Sequence, residues 1–231
     1  MISVRLQGGL GNQMFQYAYG RSREIAENVP VCFDLSGLSL PRSYALDPFD
    51  LPIQFAPANE DTLAAYWQSE KYFNHHLIRG EFLKLRPPIL PFHEEIFSHC
   101  VAVHVRLTDN LSERALAFHG NLLETDYYNH AMTFMRERIT EPYFLIFSDD
   151  PDWCQKHLPW SESDFGIVQG NKPHEDIWEM SRCPHAIIAN SSFSWWGAWL
   201  GPQKIVCAPK RWFVVPVSGA EDIVPERWVK L

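Results

Sequence analysis

Phe144-Leu145-Ile146-Phe147, followed at once by Ser148-Asp149-Asp150, gives the clearest indication of how this chain folds. The apolar part is short and uninterrupted, which is typical of a strand in a parallel sheet that helices cover on both faces. Similar segments alternate with stretches of helical pattern, which favours a doubly wound α/β domain. The predicted strands are 101–105, 143–147, 166–168, 186–189 and 205–207, and the predicted helices lie near 126–139, 150–157, 175–182 and 194–200.

The first part of the chain repeats the strand-turn-helix pattern. Its predicted elements are strands at 2–6 and 31–33, a short strand near Ile53, and helices at 12–27, 60–67 and 74–85. A proline cluster then punctuates the chain, which favours a domain boundary near residue 97. We therefore predict two Rossmann-like domains, 1–97 and 98–231, facing one another across a cleft that would hold the binding site.

Composition limits the classes of protein that this chain can belong to. With 231 residues, of which 46% are hydrophobic, it has enough apolar material for packed cores and is not expected to be disordered. The net charge of -8, with no basic stripe, argues against nucleic acid as a partner. No apolar run is long enough to cross a bilayer, and a strand is predicted from residue 2, so a cytoplasmic location is expected.

The cysteine pattern indicates buried thiols and not a metal site. The five cysteines are odd in number, widely spaced and mostly within or beside apolar stretches. No C-x-x-C pair is present, although His174 and His185 bracket Cys183. No metal ligand is predicted.

The segment His104-Val105-Arg106-Leu107-Thr108-Asp109-Asn110 closes the strand predicted at 101–105. Strand alternation puts His104 and Arg106 on one face, at the carboxyl end of a parallel strand, where α/β proteins bind ligands. Arg106 can hold a phosphate through two hydrogen bonds, and Asp109 can orient it or cap the next helix. The alternative is an ion pair between these two residues with His104 as an ordinary core side chain, and chemistry alone does not decide between them.

A second polar strand end, Ala189-Asn190-Ser191-Ser192-Phe193-Ser194, leads into a predicted helix. Backbone N–H groups at a helix start, helped by the serine hydroxyls, form a neutral cradle for an anion such as pyrophosphate. The alternative is that one serine simply caps the helix. Trp195, Trp196 and Trp199 are predicted to pack in the core and not to form a platform for a sugar.

Gly8-Gly9-Leu10-Gly11-Asn12 follows a strand and opens a helix, as a dinucleotide fingerprint does. However, the pattern G-x-G-x-x-G is not completed and no P-loop lysine follows, which disfavours NAD and P-loop chemistry. What remains is a tight turn that lets the backbone approach a phosphate or a sugar.

Two further carboxylate positions have open interpretations. Ser148 and Asp149 can take ribose hydroxyls, but capping of the following helix through Trp153 is the preferred interpretation. Asp176, in the first turn of a predicted helix, can accept hydrogen bonds from a guanine edge or complement the helix dipole.

Five blocks of this sequence occur in the order found in the α-1,2-fucosyltransferases, a family that the chain resembles from residue 6 to residue 200. They are 6–18 (LQGGLGNQMFQYA), 66–73 (YWQSEKYF), the His104 segment, 147–150 (FSDD) and 188–200 (IANSSFSWWGAWL). The first and last blocks are long and specific, so chance is a poor explanation for all five together.

The resemblance implies a GT-B arrangement and an inverting, metal-independent transfer of L-fucose from GDP-β-L-fucose to the 2-hydroxyl of a terminal β-galactoside. It places Arg106 on the donor β-phosphate, His104 and Asp176 near guanine, and Gly11-Asn12 near the pyrophosphate or the fucose. The residues expected to bind the donor are Gly9, Leu10, Gly11, Asn12, His104, Arg106, Ser148, Asp149, Asp176, Ser191, Ser192, Phe193 and Ser194. The predicted partners are GDP-fucose and a galactose-ended oligosaccharide, with no cofactor; a peripheral association with a membrane stays open, as does the oligomeric state.

The chain departs from the family pattern where H-x-R-R-G-D-Y becomes His104-Val-Arg-Leu-Thr-Asp-Asn110. Leu107 replaces the second arginine, so we expect Arg106 to carry most of the phosphate contact as charge builds on the departing GDP. The chain is also short for the family between residues 34 and 100, on the acceptor side.

The catalytic residues predicted on this basis are Arg106, Asp109 and Glu113, with Asp109, Glu113 and Glu70 as candidates for the general base. The alternatives are a GDP-sugar-binding protein with weak or no transferase activity, and a fucosyltransferase with a different acceptor. An NAD-dependent oxidoreductase is disfavoured by the incomplete glycine pattern.

Overall fold

A computed structural model of the chain describes residues 1–87, 94–107, 113–158, 164–202 and 205–231. The chain divides into two compact units, Met1–Pro87 and Pro88–Leu231. The division lies earlier than the predicted boundary at residue 97. Helix α3 (Glu94–His99) runs directly into strand β3 (Cys100–Val105), the first strand of the second unit.

The first unit is built on a β-α-β segment. Strand β1 (Ile2–Gln7) is followed by helix α1 (Leu10–Glu27) and strand β2 (Val31–Gly37), which pairs with β1 in parallel. Helix α2 (His75–Leu83) completes its α-helices. Two short 3-10 helices lie at Asp47–Phe49 and Glu70–Tyr72.

The small sheet of this unit is extended on both edges by single parallel bridges. Phe33 of β2 bridges to Phe55, close to the short strand predicted near Ile53. Val4 of β1 bridges to Leu63, whose N–H donates to the Ser3 carbonyl at 2.9 Å. The helix predicted at 60–67 is therefore wrong, because this segment is extended and satisfies the free edge of β1.

The second unit contains a six-stranded parallel sheet in the order β5-β4-β3-β6-β7-β8. Its strands are β3, β4 (Tyr143–Ser148), β5 (Phe165–Ile167), β6 (His185–Ile187), β7 (Ile205–Ala208) and β8 (Val229–Lys230). Its helices after α3 are α4 (Glu113–His119), α5 (Tyr127–Arg136), α6 (Pro151–His157), α7 (Pro173–Met180) and α8 (Ser192–Leu200). Counted within the unit, the strand order is 3-2-1-4-5-6, that of dinucleotide-binding α/β domains.

This order confirms the predicted doubly wound α/β domain and fixes its switch point. The chain builds outward from β3 to β4 and β5, then crosses back and places β6 on the other side of β3. The connections that follow β3 and β6 therefore leave in different directions, which opens a crevice at their carboxyl ends. Helices α3 and α4 and the short strand β8 were not predicted from the sequence, whereas the strands and helices that were predicted in this unit are confirmed.

The core of the second unit is apolar and closely packed. All six residues of β3 are buried, as expected for the central strand of a covered parallel sheet. Trp195, Trp196 and Trp199 of α8 are at most 2% exposed, which confirms that they pack in the core. The five cysteines are buried thiols, as predicted.

Helix α8 approaches α7 through a glycine. A Cβ placed on Gly197 would lie 2.8 Å from Cβ of Met180, which is closer than side chains pack. We expect Gly197→Ala to lower the free energy of unfolding by about 1–3 kcal/mol through overpacking, despite the better helix propensity of alanine.

Gly80 of α2 provides a matched control, because it is also helical but has open space around its Cα. Gly80→Ala should raise stability by about 0.5–1 kcal/mol. Urea unfolding of both variants checks this. Equal effects of the two substitutions would contradict close packing at Gly197.

Candidate functional site

The two polar strand ends singled out in the sequence meet across the switch point. Arg106 follows β3, and Ser191 follows β6 at the N-terminal cap of α8. The Nη1 atom of Arg106 donates to Oγ of Ser191 at 3.2 Å. A guanidinium and a helix N-terminus, both favourable to an anion, thus lie together at the carboxyl edge of the sheet.

The serines at the start of α8 do not act as ordinary caps. Ser191 occupies the cap position but makes no side-chain cap bond, and Ser194 donates to the Ser191 carbonyl at 3.3 Å. The first intrahelical bond runs from the Trp195 N–H to Ser191. The N–H groups of 192–194 precede that bond and lie where helices bind anions. Together with Arg106 and Ser191 they are called the anion cradle below.

His104 is held in place by two neighbours. Its carbonyl accepts from the buried Tyr128 hydroxyl at 3.0 Å, and its ring centroid lies 5.4 Å from that of Phe193. The side chain is 7% exposed, so His104 combines core packing with a position beside the anion cradle.

Two consecutive tyrosines of α5, which the sequence analysis missed, bind the carboxyl ends of the strands. Tyr128 binds His104 on β3, while the Tyr127 hydroxyl contacts the carbonyls of Ile188 and Cys207 at 2.7 and 2.9 Å. Burial raises the pKa of both phenols well above their usual range, so the hydroxyls remain donors. The sequence feature that could have indicated these bonds is the pair of tyrosines at the start of a predicted helix.

Leu107 faces away from the cradle. Its side chain is 2% exposed within the apolar core that contains Val105 and Met132. Its backbone N–H donates to Oδ1 of Asp149 at 2.8 Å. Because neighbouring residues of an extended segment point in opposite directions, an arginine at this position would enter the core and would not reach the site of Arg106.

A cavity of about 380 Å³ lies at the carboxyl ends of β4 and β5. Its volume is within the range of small-molecule sites. The lining residues are mostly polar or acidic: Ser148, Asp149, Asp150, Pro151, Asp152, Val168, Gln169, Gly170, Asn171 and Asp176.

Asp176 is the most perturbed carboxylate of this cavity. It lies in the first turn of α7, and its Oδ1 atom is buried without a hydrogen-bond partner among the described residues. Burial raises its pKa to about 6; the charges of Glu175 and Glu179 act in the same direction, and a hydrogen bond from Asn171 opposes them. The carboxylate therefore has an acceptor atom available for a ligand N–H.

The capping of α6 involves a different residue from those predicted. Asp150 is the cap and accepts from the Trp153 N–H at 3.0 Å. Ser148 accepts from the Asp150 N–H at 3.1 Å, and Asp149 binds Leu107. The predicted cap at Ser148 or Asp149 is thus wrong, because the turn between strand and helix is one residue longer than the pattern suggested.

The carboxylates predicted to act in catalysis are Asp109, Glu113 and Glu70, and two of them lie within the described residues. Asp109 lies outside the described residues. Glu113 is exposed at the start of α4, and the carbonyl of His119, at the other end of that helix, accepts from Asn190. Glu70 belongs to a 3-10 helix of the first unit.

The glycine segment of the first unit forms a turn with a specific steric requirement. Gly8 has φ +78°, and a Cβ there would lie 2.5 Å from Nδ2 of Asn12. Gly9 is the N-terminal cap of α1, while Leu10 and Gly11 form its first turn. The side-chain Oδ1 of Asn12 accepts from Nε2 of Gln68 at 2.7 Å, which joins the first two sequence blocks.

Two glutamines missed by the sequence analysis hold this turn. Gln13 is fully buried and donates to the carbonyls of Gly8 and Ser43, at 3.0 and 2.9 Å. Gln16, equally buried, accepts from the Gln7 N–H at 2.9 Å. The sequence feature that could have indicated this role is a pair of amide side chains, three residues apart, on an otherwise apolar helix face.

Among residues 1–87, 94–107, 113–158, 164–202 and 205–231, no cluster of three His, Cys, Asp or Glu side chains is placed to hold a metal ion. Within the same ranges, no helix has both the length and the apolar character needed to cross a membrane.

Comparison with known proteins gives consistent matches. Residues 65–231 match glycosyl transferase family 11. The alpha-1,2-colitosyltransferase of Escherichia coli is 30% identical over 100% of this chain and 99% of that protein. The galactoside 2-alpha-L-fucosyltransferase SEC1 of Bos taurus is 26% identical over 89% of this chain and 66% of that protein. The solved structure of fucosyltransferase NodZ from Bradyrhizobium has a TM-score of 0.48 and 16% identity, covering 87% and 93% of the two chains.

The burial of Leu107 predicts that restoring an arginine will not restore a phosphate contact. Leu107→Arg should lower the free energy of unfolding by about 3 kcal/mol or more, since it buries an unpaired charge. Leu107→Met, which keeps volume and polarity, should cost less than about 1.5 kcal/mol. Denaturant unfolding measures both. A Leu107→Arg variant as stable as wild type would show that the side chain faces solvent.

The raised pKa of Asp176 predicts a pH-dependent stability. Folding takes up a proton between the ordinary aspartate pKa and about 6, so the free energy of unfolding falls as pH rises through that window. Asp176→Asn should therefore raise the melting temperature near neutral pH, and this gain should disappear near pH 4. Asp152→Asn, at an exposed position of the same cavity, is the control. A gain from Asp176→Asn that is equal at both pH values would contradict the assignment.

Proposed function

The chain belongs to glycosyl transferase family 11, and on that basis we propose that it transfers L-fucose from GDP-β-L-fucose to the 2-hydroxyl of a terminal β-galactoside. The observation that carries the proposal is the contact of Arg106 with Ser191 at 3.2 Å across the switch point. It puts a permanent cation and a helix N-terminus where a Rossmann-like domain receives the phosphates of its ligand.

The proposed position of the donor follows from the polarity of the carboxyl edge. A diphosphate would lie at Arg106 and the first turn of α8, because both attract anions. The guanosine would then occupy the acidic cavity, where Asp176 can accept from N–H groups of the guanine edge and Ser148 or Asp149 can meet the ribose. His104 would lie between the two regions.

The proposed reaction is a single displacement that inverts the anomeric carbon. The acceptor oxygen forms a bond to C1 of the sugar on the face opposite GDP, while the bond from C1 to the β-phosphate oxygen breaks and GDP leaves with that electron pair. Negative charge increases on the β-phosphate, where Arg106 and the α8 N–H groups stabilise it. These fixed positive groups support a reaction that does not require a metal ion.

The acceptor proton goes to a general base. Glu113, at the exposed start of α4, is the candidate that the described residues contain in the second unit, and Asp109 and Glu70 remain predictions. The GT-B arrangement of the two units and the cytoplasmic location also remain predictions from the sequence.

Colitose is a second candidate for the transferred sugar. It is the 3-deoxy form of L-fucose, and a relative that aligns with this entire chain is an alpha-1,2-colitosyltransferase. The colitosyltransferase carries alpha-1,2 in its name and SEC1 carries 2-alpha, which supports the 2-hydroxyl as the position of attack. A competition assay with GDP-L-fucose and GDP-colitose, followed by linkage analysis, separates the two donors.

The alternative of a binding protein with weak or no activity rested on Leu107 and Asn110. The burial of Leu107 weakens it, because the side chain at this position does not face the phosphate cradle. A fucosyltransferase with an acceptor other than a galactoside is the second alternative, and it would use the same mechanism. A panel of sugar-ended oligosaccharides tests the acceptor directly.

Arg106→Ala tests the proposal. Since Arg106 interacts most strongly with charge that develops during the reaction, its loss should lower kcat/KM for GDP-fucose by about 100- to 1000-fold. Arg106→Lys should have an intermediate effect, because lysine keeps the charge but cannot form the planar two-bond contact. The measurement is transfer to a galactose-ended oligosaccharide, with and without EDTA.

Arg138→Ala is the matched control, because Arg138 follows α5 at the opposite edge of the sheet and pairs there with Glu137. It should leave activity unchanged. Wild-type transfer by Arg106→Ala would refute the role of Arg106, and loss of wild-type activity in EDTA would refute the metal-independent mechanism.

A further inference from the structure

An exposed apolar surface lies beside the proposed phosphate cradle. It consists of the exposed Phe118 and Val214 and the half-buried Phe213, and it is called the apolar rim below. Phe118 and Val214 are 39% and 49% exposed, and the ring centroids of Phe118 and Phe213 lie 4.7 Å apart. The His119 ring packs against both aromatic rings, at 5.0 and 5.2 Å.

The apolar rim is a preformed surface and not a chance cluster. The Val214 N–H donates to the Phe118 carbonyl at 3.0 Å, so the end of α4 and the segment after β7 are joined by their backbones. Gly120, with φ +72°, leaves the space that Val214 occupies, since a Cβ there would lie 2.7 Å from its Cγ1. Both segments therefore present their side chains in a fixed arrangement.

Asn190 connects the apolar rim to the cradle. Its Nδ2 atom donates to the carbonyls of His119 and Trp212, at 2.9 and 3.3 Å. These residues directly adjoin Phe118 and Phe213, and Asn190 directly precedes Ser191, which accepts from Arg106. Asn190 thus links the apolar rim to the anion cradle through its side-chain hydrogen bonds and its place in the chain.

Three regions of different polarity follow one another along the carboxyl edge. The acidic cavity lies at β4 and β5, the Arg106 cradle lies between β3 and β6, and the apolar rim follows β7. Neighbouring strands are about 4.8 Å apart, a step comparable to the width of a sugar ring. A nucleoside diphosphate sugar laid along this edge would place its sugar at the rim.

The chemistry of the rim suits a deoxyhexose. L-fucose carries a methyl group at C5 where L-galactose carries a hydroxymethyl group, so this substituent is apolar in L-fucose alone. Burial of such a group against aromatic and aliphatic side chains is favourable and is lost when a hydroxyl is added. We propose that the apolar rim is the subsite for the deoxyhexose of the donor and that it selects the 6-deoxy sugar. This assignment rests on the proposed function.

Phe213→Ala and Phe118→Ala test the subsite. Calorimetry with GDP and with GDP-L-fucose should show unchanged affinity for GDP and about tenfold weaker binding of GDP-L-fucose, since only the sugar meets the rim. The preference for GDP-L-fucose over GDP-L-galactose in kcat/KM should fall by a similar factor. Phe134→Ala is the matched control, because Phe134 lies on α5 with a partly buried ring. It should change neither the affinity for GDP-L-fucose nor the preference over GDP-L-galactose.

Val214→Thr keeps the shape of an exposed side chain and replaces the alanine variants if these do not fold. It should lower the preference for GDP-L-fucose over GDP-L-galactose. Unchanged GDP-L-fucose binding in all variants overturns the subsite, as does a higher acceptor KM or an altered oligomeric state with donor binding intact. A wild-type protein that binds neither GDP nor GDP-L-fucose overturns the proposed function and the subsite together. Normal GDP binding with unchanged sugar selectivity overturns the subsite alone.

Discussion

The parallel pairing of β3 with β6 ends at Val103 and Ile187, and the candidate site depends on that ending. Beyond it the strands no longer bond to each other, yet the carbonyls of His104 and Ile188 accept from the hydroxyls of Tyr128 and Tyr127. Buried carbonyls need partners, and the tyrosines supply them without closing the crevice. The switch point is therefore open to a ligand while the carbonyls beside it are hydrogen-bonded.

Residues that belong to one sequence block serve different purposes. Within the last block, Ser191 faces Arg106, whereas Asn190 joins two loops and Gly197 makes room for Met180. The side-chain amide of Gln13, in the first block, likewise forms its hydrogen bonds with backbone groups of its own unit. A long block of distinctive residues thus marks a region of the fold as much as a set of groups that meet the substrate.

The charge distribution along the carboxyl edge determines which way round the proposed donor would bind. Acidic groups, Asp176 among them, line the cavity, while Arg106 and a helix N-terminus form the cradle next to it. A diphosphate is repelled by the first region and attracted by the second, and a guanine edge has N–H donors that suit the acidic side. The overall charge of -8 is compatible with an anionic donor because the attraction is local.

The sequence by itself determined the doubly wound domain, the buried tryptophans and the two polar strand ends, because periodicity and strand ends depend on local pattern. It missed the extended segment at Leu63, the cap at Asp150 and the roles of Tyr127 and Gln13. Each of these depends on a partner far along the chain, such as the free edge of β1 for Leu63. Only the tertiary structure decided that Arg106 faces Ser191 while Leu107 enters the core, since side-chain direction follows from where the strand lies in the sheet.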